Sequence, residues 1–315
     1  MKTTLEKFPQ YCGLEWDKKI SDPDNPNFWK YNVANLVLLD HVRNRRNILD
    51  VGCGTGGSSI FIAERGKPQL LVGIDVVKNM VWTAKKNAAA KKLDRNICFV
   101  VCDGRHLPFK TSFFEALMSR GDAFCFLIPL EKAVDEFKRV LSSRGIVVLE
   151  MDNRSNWKPD SVVSTGFRKT PDQDIVYQVE VFDSSRNHTT TSYVLDPAGK
   201  LIREISADQE FAAKGHKKCV YPLNIIEKET TEIRRGVSTH WPTIEELSIL
   251  FKKSGYRSVK IQGDGLLMKL LLEGGETINE AMKKKPELFF EIEKKLILCT
   301  DPEKAPTLIL KAVRP

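Results

Sequence analysis

The stretch Ile48-Leu49-Asp50-Val51-Gly52-Cys53-Gly54-Thr55-Gly56-Gly57 decides the fold of this chain. An apolar run ends beside an acid, breaks into closely spaced glycines and continues into an apolar segment at 60–64. This order predicts a strand, a tight turn and the start of a helix, a unit that offers free backbone N–H groups to a polar ligand. Gly52, Gly54 and Gly57 also satisfy the dinucleotide pattern G-x-G-x-x-G, so residues downstream have to identify the ligand.

Strands and helices alternate over residues 47–151, which is typical of a parallel sheet covered by helices on both faces. Apolar runs predict strands at 47–51, 69–75, 97–102, 114–119 and 146–151. Helices are predicted at 27–42, 78–92 and 130–141, and a turn at 142–145. The sequence therefore predicts an α/β fold.

The alternation stops after the fifth strand. Runs such as 176–181 and 189–194 predict an antiparallel β insertion within the parallel fold. Thr243, followed three residues later by Glu246, predicts the capped start of a further helix. Further predicted elements are a sixth strand at 256–262, a charged helical region at 276–298 broken at Pro286, and a last strand at 307–313.

These boundaries divide the chain into three parts. They are an N-terminal arm and helix at 1–46, a core formed by 47–155 plus 240–315, and the antiparallel insertion at 156–239. We expect the insertion to serve as a lid over the substrate or as an interface in a homo-oligomer.

Composition and charge narrow the functional classes. The 315 residues are 42% hydrophobic and 29% charged, as in an ordinary globular protein. The net charge of +8 comes from basic residues dispersed among acids, which argues against a nucleic-acid partner. The seven cysteines form no C-x-x-C, and the histidines no H-x-x-x-H, so neither disulfides nor a metal site is expected. Because no apolar run approaches the roughly 18 residues that span a bilayer, and no signal core follows Met1, we expect a cytoplasmic protein.

Polar residues stand at the ends of the first four predicted strands: Asp50, Asp75, Asp103 and Ser119. In an open parallel sheet, ligands bind in the crevice beyond the carboxyl ends of the strands. A carboxylate after the second strand can accept both hydroxyls of a ribose, and one after the third can accept the exocyclic amine of adenine. Together these positions predict a ligand that contains adenosine.

The motifs resemble those of the class I S-adenosylmethionine-dependent methyltransferases over 47–151 and, more weakly, over 240–315. The matching motifs are Asp50-x-Gly52-x-Gly54-x-Gly56, the later Asp75, Asp103-Gly104-x-x-x-Leu107-Pro108-Phe109 and Phe137-x-Arg139-Val140-Leu141-x-x-x-Gly145. The resemblance implies a seven-stranded Rossmann-like sheet with an antiparallel last strand, S-adenosylmethionine as cofactor and S-adenosylhomocysteine as product. A nicotinamide dehydrogenase would share the glycine turn and Asp75 but not the motif that begins at Asp103.

The resemblance also implies which residues bind the cofactor. The backbone from Gly52 through Cys53 and Gly54 to Gly56 would hold the methionine part, with Asp50 at its amino group. Asp75 would bind the ribose, Val76 would pack on the adenine face, and Asp103 with Gly104 would read adenine. Ser119 and Arg120 would lie near the sulfonium. Tyr31, on the predicted first helix, is a candidate for the pocket mouth, although an amphipathic helix also predicts core packing for it.

The segments after the fourth and fifth strands are similar to those of the glycine N-methyltransferase group. This chain departs from that pattern, because Asp122 replaces an Asn, Asn153 replaces a His, and Ser155 precedes Asn156-Trp157. The resemblance implies N-methylation of a small amine or amino-acid-like acceptor. Arg154 can pair with a substrate carboxylate, Asp122 can attract an ammonium group and take its proton, and Asn156 is a third candidate for positioning the acceptor.

Two other functions stay open at this point. One is an RNA or protein methyltransferase that uses the basic surface, and the other is a binding protein that keeps the S-adenosylmethionine fold without catalysis. Each acceptor candidate also has a non-catalytic interpretation. These are a structural ion pair for Arg154, a turn cap for Asn156 and an acid at the start of a helix for Asp122.

Overall fold

The computed structural model describes residues 22, 26–93, 95–155, 161–169, 175–195, 230–267, 280–281 and 284–315. The chain divides into two compact units, one containing residues 157–241 and the other containing 9–156 together with 242–315. The arm before residue 22, the candidate Asn156 and the whole region 196–229 lie outside the described residues.

The helices and strands follow the predicted alternation. The strands are β1 (Asn47–Val51), β2 (Leu70–Asp75), β3 (Ile97–Val101), β4 (Phe114–Ser119), β5 (Leu141–Asp152), β6 (Ser161–Lys169), β7 (Ile175–Phe182), β8 (Asn187–Leu195), β9 (Thr230–His240), β10 (Arg257–Asp264) and β11 (Thr307–Val313). The α-helices are α1 (Pro26–Val42), α2 (Gly57–Gly66), α3 (Lys78–Ala90), α4 (Leu130–Val140), α5 (Ile244–Lys253) and α6 (Pro286–Cys299).

The larger unit is built on a seven-stranded sheet in the order β10-β11-β5-β4-β1-β2-β3. Strands β1 to β5 pair in parallel, whereas β11 lies antiparallel to both β5 and β10. This confirms the predicted seven-stranded sheet with an antiparallel last strand. Because β1 lies between β2 and β4, the strand order reverses at β1, and a crevice forms beyond the carboxyl ends of these strands.

The smaller unit is a four-stranded antiparallel sheet in the order β6-β7-β8-β9. Its pairings run from Ser161 opposite Phe182 to Asn187 opposite His240. This confirms the predicted antiparallel insertion after the fifth strand. Its role as a lid or an interface stays a prediction.

One local prediction needs correction. The predicted turn at 142–145 is the bulged beginning of β5, because Leu141 pairs with Phe114 while Ile146 pairs with Ala116. Backbone bonds from the end of the chain make this possible: Arg144 N donates to Arg314 O, and Arg314 N donates to Gly145 O. The predicted break at Pro286 is confirmed: residue 284 is helical, Lys285 is not, and α6 begins at Pro286, a position where the missing N–H of proline costs nothing.

Apolar side chains fill both faces of the larger sheet. On one face, α1, α2 and α3 pack on β1, β2 and β3 through residues such as Val37, Ile62 and Ala84. A second cluster forms where the Phe124 ring lies 6.2 Å from the rings of Phe137 and Phe251, which belong to α4 and α5. A sheet buried in this way holds the crevice end of each strand in a fixed position.

The predicted cap of α5 is confirmed. Thr243 Oγ1 accepts a hydrogen bond from Glu246 N at 3.1 Å, and Thr243 N donates to Glu246 Oε2 at 2.6 Å.

Among the described helices, none is both long and apolar enough to cross a membrane. Within the same part of the chain, no group of three or more His, Cys, Asp or Glu residues is arranged to hold a metal ion.

Candidate cofactor and acceptor site

The glycine turn after β1 is a compact backbone cradle. Gly52 N and Cys53 N donate to Ile74 O at 2.8 and 2.9 Å, which ties the turn to β2. Gly52 has φ +76°, and a Cβ there would lie 2.2 Å from the Cβ of Ala123. Gly54 has φ +53°, and a Cβ there would have no heavy atom within 4 Å. The backbone at Gly54 is therefore open to a ligand, whereas the backbone at Gly52 is packed against the protein.

Asp75, at the end of β2, holds the glycine turn through its carboxylate. Oδ2 accepts from Gly54 N at 2.9 Å, and Oδ1 accepts from Val77 N at 2.9 Å. Burial raises the pKa of Asp75, and these backbone hydrogen bonds oppose the rise. Each oxygen retains a second lone pair, so the carboxylate can still accept hydroxyl groups of a ribose.

Asp50 is a buried acid beneath the turn. Its Oδ2 accepts a hydrogen bond from Ser59 Oγ, and its side chain is almost fully removed from solvent. Burial, together with the charge of Asp75, raises the pKa of Asp50 to about 7, although the Ser59 hydrogen bond and Arg120 oppose the rise. A cationic group bound beside Asp50 would favour its ionised form, as expected for an acid that meets an amino group.

Asp103, the candidate for reading adenine, is engaged by its neighbour. Arg105 Nη2 donates to Asp103 Oδ2 at 2.6 Å, and Arg105 N donates to Oδ1 at 2.9 Å. Although partial burial raises the pKa of Asp103, these bonds hold it below its ordinary value. A nearby motif residue, Arg139, donates to Phe109 O and Leu107 O at 2.7 Å, which fixes the segment that follows Asp103.

Ser119 and Arg120 have different surroundings although they are adjacent. Ser119 is fully buried, and its Oγ donates to Val51 O at 2.8 Å, so its hydroxyl joins β4 to β1. Arg120 lies in the crevice: its Nη1 donates to Asn35 Oδ1 at 2.7 Å, and its guanidinium carbon is 4.3 Å from the centre of the Tyr31 ring. Arg120 therefore connects the end of β4 to α1.

A cavity of about 540 Å³ opens over the glycine turn and beside α1. Six of the twelve predicted cofactor residues line it: Tyr31, Asp50, Gly52, Cys53, Gly54 and Arg120. Among the described residues, the other six predicted ones lie outside this lining: Gly56, Asp75, Val76, Asp103, Gly104 and Ser119. Its volume falls in the range of roughly 300–1,000 Å³ that is typical of cofactor pockets, and its floor is the open backbone at Gly54. The residues therefore fit a ligand with a polar tail.

Two of the three acceptor candidates lie at the neighbouring strand ends. Asp122 has φ +69°, and its Oδ1 accepts from Asp152 N at 2.7 Å. Arg154 Nη2 lies 3.8 Å from Asp152 Oδ2. Burial and the neighbouring charge of Asp152 raise the pKa of Asp122 to about 7. The structure therefore brings Asp122 and Arg154 to one edge of the sheet, on either side of Asp152.

Asn153, which departs from the family pattern, anchors the end of β5. Its Nδ2 donates to Pro302 O at 3.0 Å and to Ala305 O at 2.9 Å, and its N donates to Pro306 O at 2.8 Å. Its Oδ1 accepts from Ser155 N at 3.1 Å. Asn153 therefore fixes the backbone on which Asp152 and Arg154 stand.

Sequence reasoning missed several polar residues around Arg120. Ser58 Oγ donates to Asn35 Oδ1 at 2.9 Å, and Glu150 Oε2 lies 3.3 Å from Arg120 Nε. Asp264 and Glu293 are buried nearby and, with Arg120 and Glu150, line a small cavity of about 30 Å³. One sequence pattern could have identified these residues: they are polar side chains within otherwise apolar segments. A buried polar side chain requires a hydrogen-bond partner, so such residues indicate a polar cluster.

Asp264 and Glu293 form a buried acid pair. The Glu293 carboxylate accepts from Leu266 N and Leu267 N at 3.1 and 2.8 Å. Burial, then the charges of Glu293 and Glu150, raise the pKa of Asp264 to about 8. At neutral pH the Asp264 carboxyl therefore keeps its proton in the folded chain.

This raised pKa predicts a pH-dependent loss of stability. The unfolded carboxyl ionises near pH 4 and the folded one near pH 8, so the contribution of Asp264 falls as the pH rises through that window. In Asp264→Asn, the fall in the free energy of unfolding between pH 5 and pH 8 should be smaller by about 3–4 kcal/mol. Denaturant titrations at both pH values measure it, with Asp40→Asn on the exposed face of α1 as the control. Equal pH slopes for wild type and Asp264→Asn would contradict it.

Comparison with known proteins finds similarity in the segment that carries the glycine turn. Residues 48–145 match the model of a methyltransferase domain. Malonyl-[acyl-carrier protein] O-methyltransferase of Geobacter sulfurreducens is 28% identical over 126 residues, which cover 40% of this chain and 45% of that relative. Demethylmenaquinone methyltransferase of Thermus thermophilus is 33% identical over 123 residues, covering 39% of this chain and 53% of that relative. The chain thus spans about half the length of these two curated relatives.

A solved structure extends the similarity of fold beyond that segment. The CcbJ methyltransferase from Streptomyces caelestis is similar over 94% of this chain and 98% of its own, with a TM-score of 0.56 and 13% sequence identity. At that identity the similarity concerns the fold alone. The sequence similarity to methyltransferase domains therefore lies in residues 48–145, and beyond them the chain is similar to a methyltransferase in fold alone.

Proposed function

We propose that the chain is a methyltransferase that uses S-adenosylmethionine to N-methylate a small amine or amino-acid-like acceptor. Bound S-adenosylmethionine supplies a methyl group already activated on a positively charged sulfur. The protein then has to align the acceptor nitrogen, remove its proton and exclude water. S-adenosylhomocysteine is the expected product.

The glycine turn supports the cofactor assignment. The open backbone at Gly54 and the buried Asp50 suit the amino-acid tail of the cofactor. Asp75, whose oxygens both face backbone N–H groups at the end of β2, suits the ribose. Asp103 would read adenine only by exchanging or sharing its Arg105 bonds, so the Gly104 backbone is the stronger candidate there.

The charge of the crevice is the main observation that supports a small amine as the methyl acceptor. The chain has a net charge of +8, yet acids outnumber bases at the carboxyl ends of the central strands. The acids there are Asp50, Asp75, Asp122, Glu150 and Asp152, and the bases are Arg120 and Arg154. Such an edge attracts cations, and both a sulfonium and a protonated amine are cations. A cationic amine is therefore favoured over an anionic macromolecule.

Asp122 is suited to take the proton of the acceptor. An ammonium nitrogen has no free electron pair and must lose a proton before it can attack the methyl group. A carboxylate with a pKa of about 7 is balanced between its two forms near neutral pH, which favours proton exchange. Arg154 is placed to pair with a carboxylate of an amino-acid-like acceptor. The finer resemblance to the glycine N-methyltransferase group stays a proposal on these grounds.

A pH profile tests the role of Asp122. Because the ionised carboxylate is the active form, the rate of methyl transfer should rise as the pH increases through about 7 and then level off. Asp122→Asn should lower the rate by a factor of about 100 and remove that rise. Initial rates measured from pH 5.5 to 9 compare the two proteins. A variant that keeps the wild-type profile would show that Asp122 is not the base.

The acceptor itself is found by labelled methyl transfer. The protein is incubated with methyl-labelled S-adenosylmethionine and separate pools of small amines, amino acids including glycine, tRNA and peptides. We expect label in the amine or amino-acid pool. Label only in tRNA or peptide would support a macromolecular acceptor instead. Cofactor binding without transfer to any pool would support a binding protein without catalysis.

A further inference from the structure

Arg120 presents an electrostatic problem for the proposed cofactor. Its guanidinium lines the large cavity and is held there by Asn35 at 2.7 Å and by stacking on Tyr31. Only 8% of its side chain is exposed, so solvent screens its charge weakly. A second positive charge, such as the sulfonium of S-adenosylmethionine, would be repelled by an uncompensated arginine.

Glu150 supplies the compensating charge. Its Oε2 lies 3.3 Å from Arg120 Nε and accepts a hydrogen bond from Gly121 N at 3.0 Å. Glu150 stands on β5, whose neighbouring residue Leu149 pairs with Ser119 at the end of β4. One carboxylate therefore neutralises the arginine and fixes the backbone of the turn that follows β4.

Further acidic groups lie behind this ion pair. The small cavity of about 30 Å³ is lined by Arg120, Glu150, Asp264 and Glu293, together with Thr307. Arg120 lines both cavities, so it forms a wall between the cofactor cavity and the acidic cluster. Because Asp264 keeps its proton at neutral pH, Glu150 is the acid that directly compensates the charge of Arg120 in this cluster.

We propose that Glu150, by neutralising Arg120, keeps the cavity from disfavouring the sulfonium of S-adenosylmethionine relative to the neutral thioether of S-adenosylhomocysteine. Glu150 is then a specificity-determining residue that acts through Arg120, not by touching the ligand. This inference rests on the proposed function, because it takes S-adenosylmethionine as the ligand. It predicts that charge changes at the two positions act in opposite directions.

Calorimetric titration with S-adenosylmethionine and with S-adenosylhomocysteine tests the proposal. Glu150→Gln keeps an oxygen for Gly121 N but removes the charge, so affinity for S-adenosylmethionine should fall about tenfold and that for S-adenosylhomocysteine less than about threefold. Arg120→Gln should shift the ratio of the two affinities the other way, even if both affinities decrease. The double variant should return the ratio towards that of wild type.

The controls separate charge from structure. Glu131→Gln changes an exposed acid of α4 and should leave the ratio unchanged. If Glu150→Gln and Arg120→Gln shift the ratio in the same direction, or weaken both ligands equally, their role is structural and the inference is wrong. If the wild type binds neither ligand, the proposed function fails first. Binding of both ligands with a ratio unaffected by either variant overturns only this inference.

Discussion

Replacing Asp75 with lysine is expected to abolish binding of S-adenosylmethionine, with a loss of affinity on the order of 100-fold or more. The carboxylate accepts N–H groups of Gly54 and Val77, each at 2.9 Å, and is the proposed acceptor for both ribose hydroxyls. Lysine provides no acceptor and brings a positive charge towards a cationic ligand. Isothermal titration of wild type and variant measures the effect.

A graded series separates ligand binding from support of the turn. Asp75→Asn retains one acceptor oxygen and should keep part of the affinity, whereas Asp40→Asn, an exposed residue of α1, should keep all of it. Thermal unfolding without ligand shows how much of the loss reflects a damaged turn. Unchanged affinity in Asp75→Lys would contradict the assignment of this residue to the cofactor site.

Gly52→Ala is expected to destabilise the larger unit by about 3 kcal/mol or more. An added Cβ would lie 2.2 Å from the Cβ of Ala123, and the φ of +76° is unfavourable for alanine. The turn would have to move away from the segment that carries Ala123, which follows the acceptor candidate Asp122. Chemical denaturation measures the stability, and cofactor titration should show weaker binding in the same variant.

Gly54→Ala is the matched control for this prediction. Gly54 also has a positive φ, of +53°, but a Cβ there would meet no heavy atom within 4 Å. Its replacement should therefore cost only the backbone term of about 1 kcal/mol in unfolding free energy. An added methyl group on the open backbone should still hinder the cofactor. Equal destabilisation by the two substitutions would mean that contact with Ala123 does not determine the cost at Gly52.

The fold was predictable because its signals are local. Each signal involves residues within a few positions of one another. The signals are the glycine turn between two apolar runs, the strand spacing and the Thr243 capping box. The error at 142–145 came from long-range pairing. The segment 142–145 has the composition of a turn, yet it continues β5 because the backbone of Arg314, distant in sequence, pairs with it. No local pattern contains that information.

The sequence predicts which residues meet at the candidate site where the backbone alone determines their position, but not which partners their side chains contact. Parallel strands bring Asp50, Asp75 and the end of β4 to one edge, and the structure places them there. The partners of each side chain depend on rotamers and on distant segments. Ser119 turns to Val51, Asp103 is engaged by Arg105, and Arg120 meets Asn35, Tyr31 and Glu150. The assigned roles of the twelve cofactor residues and of Asp122, Arg154 and Asn156 stay predictions.

The anchoring of Asn153 has a consequence for acceptor choice. Its amide and backbone N–H bind carbonyl groups of Pro302, Ala305 and Pro306, so the main chain beneath Asp152 and Arg154 is immobilised before any ligand arrives. Preorganisation of this kind lowers the entropy lost on binding, since only side-chain rotations remain to be restricted. The identity of the side chains at 152 and 154, rather than a rearrangement of their backbone, would then distinguish one acceptor from another.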